Sequence, residues 1–254
     1  MSTATLSAII RHCQIRLRPA TFNDYDGAVN GLQVENSGVV TKIAAAVDAT
    51  LATVKMAAAA GADLMIVHHG LFWSPTIPWT GPRRALLQLL IEKNIAVYSS
   101  HLPLDAHPQL GNNALLCAAL NFKKLQPFFN DKAGRPIGWQ TRATVHRDDL
   151  TEKLGRVLGR APIILPGGPA QCRRIGIVTG GAGSQLKIAA AEGVDTFITG
   201  EGPHWTCALA EELGLNVFYG GHYATETFGV KALAAELSQK FRVPWLFLDH
   251  PTGL

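Results

Sequence analysis

Short apolar runs alternate with stretches of helical periodicity along most of the chain. Lys42 to Asp48 reads as a strand, Thr50 to Ala60 as an Ala-rich helix, and Asp63 to Val67 as a second strand between Gly61 and Gly70. Pro82 to Lys93 predicts a helix with proline in its first turn, Ile95 to Ser100 a strand, and Asn112 to Leu120 a helix. Gln126 to Arg135, rich in Pro, Gly, Asn and Asp, reads as a connection. Gly138 to Val145 then predicts a strand, Asp148 to Leu158 a helix, and Leu165 to Pro169 a turn. From Arg173 the alternation resumes and includes a strand at Asn216 to Tyr219. The rhythm predicts an α/β protein with a mostly parallel sheet, divided into 1–125 and 126–254, with the C-terminal segment able to pack back on the first domain.

The second stretch reads as a repeat of the first. Lys42-Ile43 aligns with Arg174-Ile175, and Gly61-Ala62-Asp63 with Gly193-Val194-Asp195, both at an offset of 132. Tyr98-Ser99-Ser100-His101 aligns with Tyr219-Gly220-Gly221-His222 at an offset of 121. Duplication predicts two similar halves whose strand ends carry the ligand-binding residues.

Three polar clusters follow apolar strands. His68-His69-Gly70 closes the first; alone, the pair reads more readily as loop histidines bonded to backbone than as metal ligands. His101 to His107 contains Asp105, placed behind Pro103, which stiffens the turn. Gly220-Gly221-His222 opens a helix expected near Ala224, setting His222 and Glu226 one turn apart. Glu226 in that position would also stabilise the helix dipole. Pooled, His68, His69, Asp105, His222 and Glu226, with His101 in reserve, exceed the needs of one four-coordinate ion and suit two. Imidazole and carboxylate without thiolate points to Zn, Mn, Fe, Co or Ni. Thr179 to Ser184 reads as a tight turn or, through amides near Gly181 and Gly183, a phosphate cradle. Glu201 and His204 follow a further strand end and read as supporting or substrate-contacting groups, or as a helix cap.

Composition narrows the classes. Hydrophobic residues are 47% of the 254, enough for a core, so disorder is excluded. No run of ~18 apolar residues predicts a membrane span, and the stretch Met1 to Arg11 does not read as a signal peptide. The net charge of +4 is too scattered for a nucleic-acid footprint by itself, though it suits an anionic small molecule. The four cysteines form no CxxC pair, which predicts reduced thiols and a cytoplasmic protein.

Asn30-Gly31-Leu32-Gln33-Val34, Val67-His68-His69-Gly70-Leu71-Phe72-Trp73, His101-Leu102-Pro103-Leu104-Asp105, Thr199-Gly200-Glu201 and Gly221-His222-Tyr223-Ala224-Thr225-Glu226 together resemble the GTP cyclohydrolase 1 type 2 homologues, the Nif-three-like dinuclear metal proteins. The resemblance implies two similar α/β domains with a dinuclear metal site in the cleft between them. It implies ligands at His68, His69, Asp105, His222 and a bridging Glu226, and a hexameric ring built as a trimer of dimers. The activity read from the ligand set is metal-assisted hydrolysis of a nucleotide-like substrate, which the family label makes an opening of the guanine ring of GTP with release of formate; His101 is expected to move protons, since an imidazole titrates near working pH. The alternative is a non-enzymatic metal-binding ring that stores or senses metal or acts as a protein-interaction scaffold.

Overall fold

The computed structural model describes residues 3–131 and 133–254. Met1 and Ser2, in the N-terminal stretch read for a signal peptide, and Lys132, in the expected connection, lie outside the described residues. In chain order the first elements are β1 (Ala4–Thr5), α1 (Leu6–Leu17), β2 (Gly31–Val34), β3 (Val39–Val40), β4 (Ile43–Asp48), α2 (Leu51–Ala59), β5 (Leu64–His69), α3 (Gly81–Glu92), β6 (Ala96–Ser99) and α4 (Leu102–Asp105). There follow α5 (Asn112–Ala119), β7 (Gln126–Asn130), β8 (Pro136–His146), α6 (Arg147–Leu158), β9 (Ile163–Pro166), β10 (Gln171–Ile177), α7 (Leu186–Ala191), β11 (Thr196–Thr199), α8 (Thr206–Leu213), β12 (Asn216–Tyr219), α9 (His222–Phe241) and β13 (Trp245–Phe247). Two compact units emerge: one runs through Leu104 and takes in Gly229–His250, the other comprises Asp105–Phe228 and Pro251–Leu254.

The first unit carries a five-stranded sheet in the order β13-β4-β5-β6-β2. Its first four strands run parallel and β2 is antiparallel. Leu64, Met65, Ile66 and Val67 of β5 are fully buried, as expected for a central strand covered on both faces. Burial of each such side chain contributes about 1.5–3 kcal/mol. Helix α2 starts at a capping box in which Thr50 and Thr53 exchange hydrogen bonds with each other's backbone.

The second unit carries a six-stranded sheet, β7-β8-β10-β11-β12-β9. Only β10, β11 and β12 run parallel; β7, β8 and β9 pair antiparallel. The sheet is therefore mixed, not mostly parallel. Within the expected connection at 126–135, Gln126–Asn130 is instead strand β7, because Phe128 and Phe129 bury their rings despite polar neighbours and Phe128 pairs with Gly138. Ile163–Pro166, partly expected as turn, forms an edge strand beside β12. Helix α9 begins at His222, two residues earlier than the sequence predicts.

The internal repeat is visible in the ladders. Ile43 pairs with Leu64 in the first unit and Ile175 with Thr196 in the second, all at an offset of 132. The Asp63 carboxylate accepts the backbone N–H of Thr41 and Lys42; the Asp195 carboxylate accepts those of Arg173 and Arg174. Gly61 and Gly193 each turn the chain with positive φ just before. The third sequence match is displaced by one. Ile66 faces Tyr98 while Ile198 faces Phe218, so Tyr98 corresponds to Phe218 and not Tyr219. Among the described residues no helix is long and apolar enough to cross a membrane.

Candidate metal centre

The first unit gathers three histidines where its parallel strands end, the edge at which open α/β sheets bind ligands. His68 and His69 are the last residues of β5, and His101 lies just beyond β6. Strict alternation would send neighbouring side chains to opposite faces. Here the strand closes at His69, and the two rings approach to 4.8 Å between centroids at 48°. His101 completes the group, 4.9 Å from His68 and 5.6 Å from His69. One ligand atom from each of the three lies within 4.8 Å of the others.

Each ring is fixed through Nδ1. His68 Nδ1 meets the Ser100 carbonyl at 2.9 Å, His69 Nδ1 the Asp48 carboxylate at 2.8 Å, and His101 Nδ1 the Asp24 carboxylate at 2.7 Å. A carbonyl or carboxylate oxygen only accepts, so Nδ1 carries the proton and a neutral ring presents its lone pair at Nε2. This is the arrangement that orients metal-ligating histidines. Asp24 also accepts from Asn30 Nδ2 and from the Tyr25 and Leu102 amides. Burial pushes its carboxyl up, but the bonds from His101, Asn30 and Tyr25 prevail and hold it below the usual carboxylate range.

In the second unit, Asp105 ends α4 and Oδ1 accepts from Asn112 Nδ2 at 2.8 Å and Thr179 Oγ1 at 3.3 Å. His222 and Glu226 share one face of α9, with Nε2 and Oε2 3.2 Å apart. Glu201, two residues beyond β11, accepts from His222 Nδ1 at 2.8 Å. Burial works to lower the His222 pKa; Glu226 and Glu201 overcome it and raise the ring to about 9. The glycine turn after β10 packs against this group. Gly180 has φ +72°, and a Cβ there would collide with Glu226 Oε1, so only glycine lets the carboxylate in. Gly181 lies beside the His222 ring, whereas the Gly183 amide donates to the Glu201 carbonyl at 3.0 Å. His204 stands exposed in the turn leading to α8.

The donor chemistry fits a cation. Asp105 and Glu226 are 6% and 2% exposed, and an oxygen of one lies within 4.8 Å of an oxygen of the other. Two carboxylates so placed repel by about 3 kcal/mol at an effective dielectric of ~20, beyond the expense of burial itself. A divalent ion relieves both. These buried His, Asp and Glu groups can thus bind metal. Sequence reasoning missed Asp24, Asp48, Ser100 and Asn112, and read Thr179 only as part of a turn. Asp48 had a usable signal, since it closes β4 as His69 closes β5, directly opposite in register.

Comparison with known proteins agrees with the fold. Residues 4–252 match the model of the family described as Duf34/NIF3 (NGG1p interacting factor 3). A "GTP cyclohydrolase 1 type 2 homolog" of Deinococcus radiodurans is 41% identical, over 90% of this chain and 88% of that relative. One of Haemophilus influenzae is 39% identical, over 93% and 95%. The crystal structure of TTHA1606 from Thermus thermophilus superposes with a TM-score of 0.91 at 38% identity, covering 99% of this chain and 100% of that one.

Proposed function

Because the chain belongs to the Duf34/NIF3 family, we propose that it is a dinuclear metal-dependent hydrolase acting on a nucleotide-like substrate. His68, His69, Asp105, His222 and Glu226 would hold the ions. The donor types favour Zn, Mn, Fe, Co or Ni. When bound, such ions supply Lewis acidity and make water a nucleophile near neutral pH. The observation that carries the reading is the common locking of Nδ1 by an oxygen acceptor in His68, His69 and His222, which aims Nε2 as the donor.

The chain's own groups divide the remaining work. Asp48, Ser100 and Glu201 hold ligand rings in orientation. His101, held by Asp24, gives or takes a proton at Nε2 close to His68 and His69. The names of the relatives support a cyclohydrolase reaction, in which the guanine ring of GTP opens and formate leaves. Gly181 lies beside His222, in reach of a substrate held there. On the same reading the protein is a cytoplasmic hexamer arranged as a trimer of dimers, checked by the mass of the assembly in solution.

The test incubates metal-loaded protein with GTP and follows formate and the fluorescent pterin product. Turnover that disappears in His68→Ala and Glu226→Ala supports the hydrolase. Metal uptake without consumption of nucleotide supports the non-enzymatic metal ring instead.

A further inference from the structure

The second unit holds a group of cations that neither the fold nor the metal site requires. An open recess of about 510 Å³ is lined by Arg142, Ala143, Thr144, Arg173, Arg174 and Asp195. Arg142 on β8 and Arg174 on β10 are direct partners in the antiparallel ladder, so their side chains leave the same face. Like charges directly opposite in a sheet are destabilising. The ladder is irregular between Cys172 and Arg174, where Ala143 and Thr144 both face Arg173. All three arginines are exposed, and among the described residues none of their guanidiniums is in a hydrogen bond or ion pair. The one carboxylate of the recess is committed elsewhere: Asp195 accepts the Arg173 and Arg174 amides and the Thr196 hydroxyl.

The internal repeat supplies a control. In the first unit Asp63 binds the equivalent amides, yet the residues there are Thr41 and Lys42. Thr41 donates its hydroxyl to Asp63, and Lys42 Nζ caps the Ala60 carbonyl. The turn therefore folds without arginine, and its one cation is used locally. In the second unit the same backbone carries Arg173 and Arg174, both uncommitted, and Arg174 stands opposite Arg142 of β8. Arg174, with Arg142 beside it on β8, lies in the first half of β10, while Thr179 and Gly180 beside the metal ligands follow its end. At about 3.3 Å per residue the two places are on the order of 15 Å apart.

We propose that Arg142 and Arg174, paired on one face of the sheet, form a second binding site, separate from the metal centre, for a small multiply charged phosphate such as inorganic pyrophosphate or the phosphate chain of a nucleotide. Guanidinium forks pair phosphate oxygens two at a time, and two of them side by side match a diphosphate better than a single chloride. A bound anion also removes the repulsion between Arg142 and Arg174.

The experiment titrates pyrophosphate into the full chain by calorimetry, with ionic strength held constant by sodium chloride, and follows the melting temperature in parallel. Saturable 1:1 binding is expected for the wild type and for Glu226→Gln alike. Arg142→Gln/Arg174→Gln should weaken it about tenfold or more. Without anion that double variant should melt no lower than the wild type, and Lys42→Gln should bind as the wild type does. Should the double variant fold poorly, Arg142→Gln alone is expected to weaken binding about threefold. Nucleotide and pyrophosphate competing for one site distinguishes the two sources. Equal stabilisation by matched chloride, loss of binding in Glu226→Gln, or unchanged affinity in the arginine variants each overturns the proposal.

Discussion

The Asp48 carboxylate accepts a hydrogen bond from His69 Nδ1 at 2.8 Å because the two residues close adjacent parallel strands in the same register. Sheet geometry thus fixes a ring orientation that a loop would leave free. Asp48→Asn keeps the shape but weakens the acceptor, and is expected to lower affinity for a divalent ion about 10–100-fold with the fold intact. Competition against a metal-sensitive dye measures this; unchanged affinity would mean that Asp48 only shapes the strand end.

His222 links metal uptake to pH. Glu226 and Glu201 overcome burial and hold the ring at about 9, above its ordinary value of 6.5. In the metal-free protein this interaction therefore stabilises fully below about pH 6.5 and is lost as pH rises through about 9. A metal needs the neutral ring, so apparent affinity should rise with pH towards 9, and binding at pH 7.5 should release a proton. Calorimetry in buffers of different ionisation enthalpy counts that proton. Glu201→Gln should reduce the count.

Glu236 provides an acid-sensitive tie within the first unit. Arg16 bonds it at 2.9 Å through both Nε and Nη2, and His12 lies at 2.8 Å. The Arg16 bonds, working against burial, lower its carboxyl to about 2 from 4.5. Its contribution is present above about pH 4.5 and lost as pH falls to about 2. Because the group is only partly buried and solvent still screens the pair, Glu236→Gln should cost about 1 kcal/mol at neutral pH. The difference from wild type should vanish near pH 2 in denaturant melts.

Thiol chemistry reports on packing. Burial pushes Cys13 and Cys117 up to about 12 and also raises Cys172, whereas Cys207 is exposed. A thiol reagent should label Cys207 quickly and the other three only after unfolding. Rapid reaction of more than one thiol in the native protein would contradict the buried placements.

Much of the fold was legible because its signals are local. Leu64 to Val67 is a continuous apolar run, and Asn216 to Tyr219 was bounded to the residue by its flanking leucine and glycines. The positions of His68 and His69 at a strand end followed from the same punctuation, whereas His222 was expected ahead of its helix and instead begins it. What escaped depends on distant partners. Asp24 holds His101 across 77 positions, and nothing in the stretch around it marks it for that task. Strand β7 escaped because Pro127, Asn130 and Asp131 look like a loop until Phe128 meets Gly176, where any Cβ would collide with its ring. The one-residue error in the third repeat match arose because two tyrosines, Tyr98 and Tyr219, attract one another in an alignment although the strand ladder pairs otherwise.

The most direct measurement is an element-specific anomalous diffraction map from crystals of protein loaded with manganese or zinc. Two peaks should appear, flanked by His68, His69, Asp105, His222 and Glu226, with the Glu226 carboxylate touching both. A map with no peak at these side chains, or with metal held by His101 and Asp24 in place of Glu226, would contradict the account.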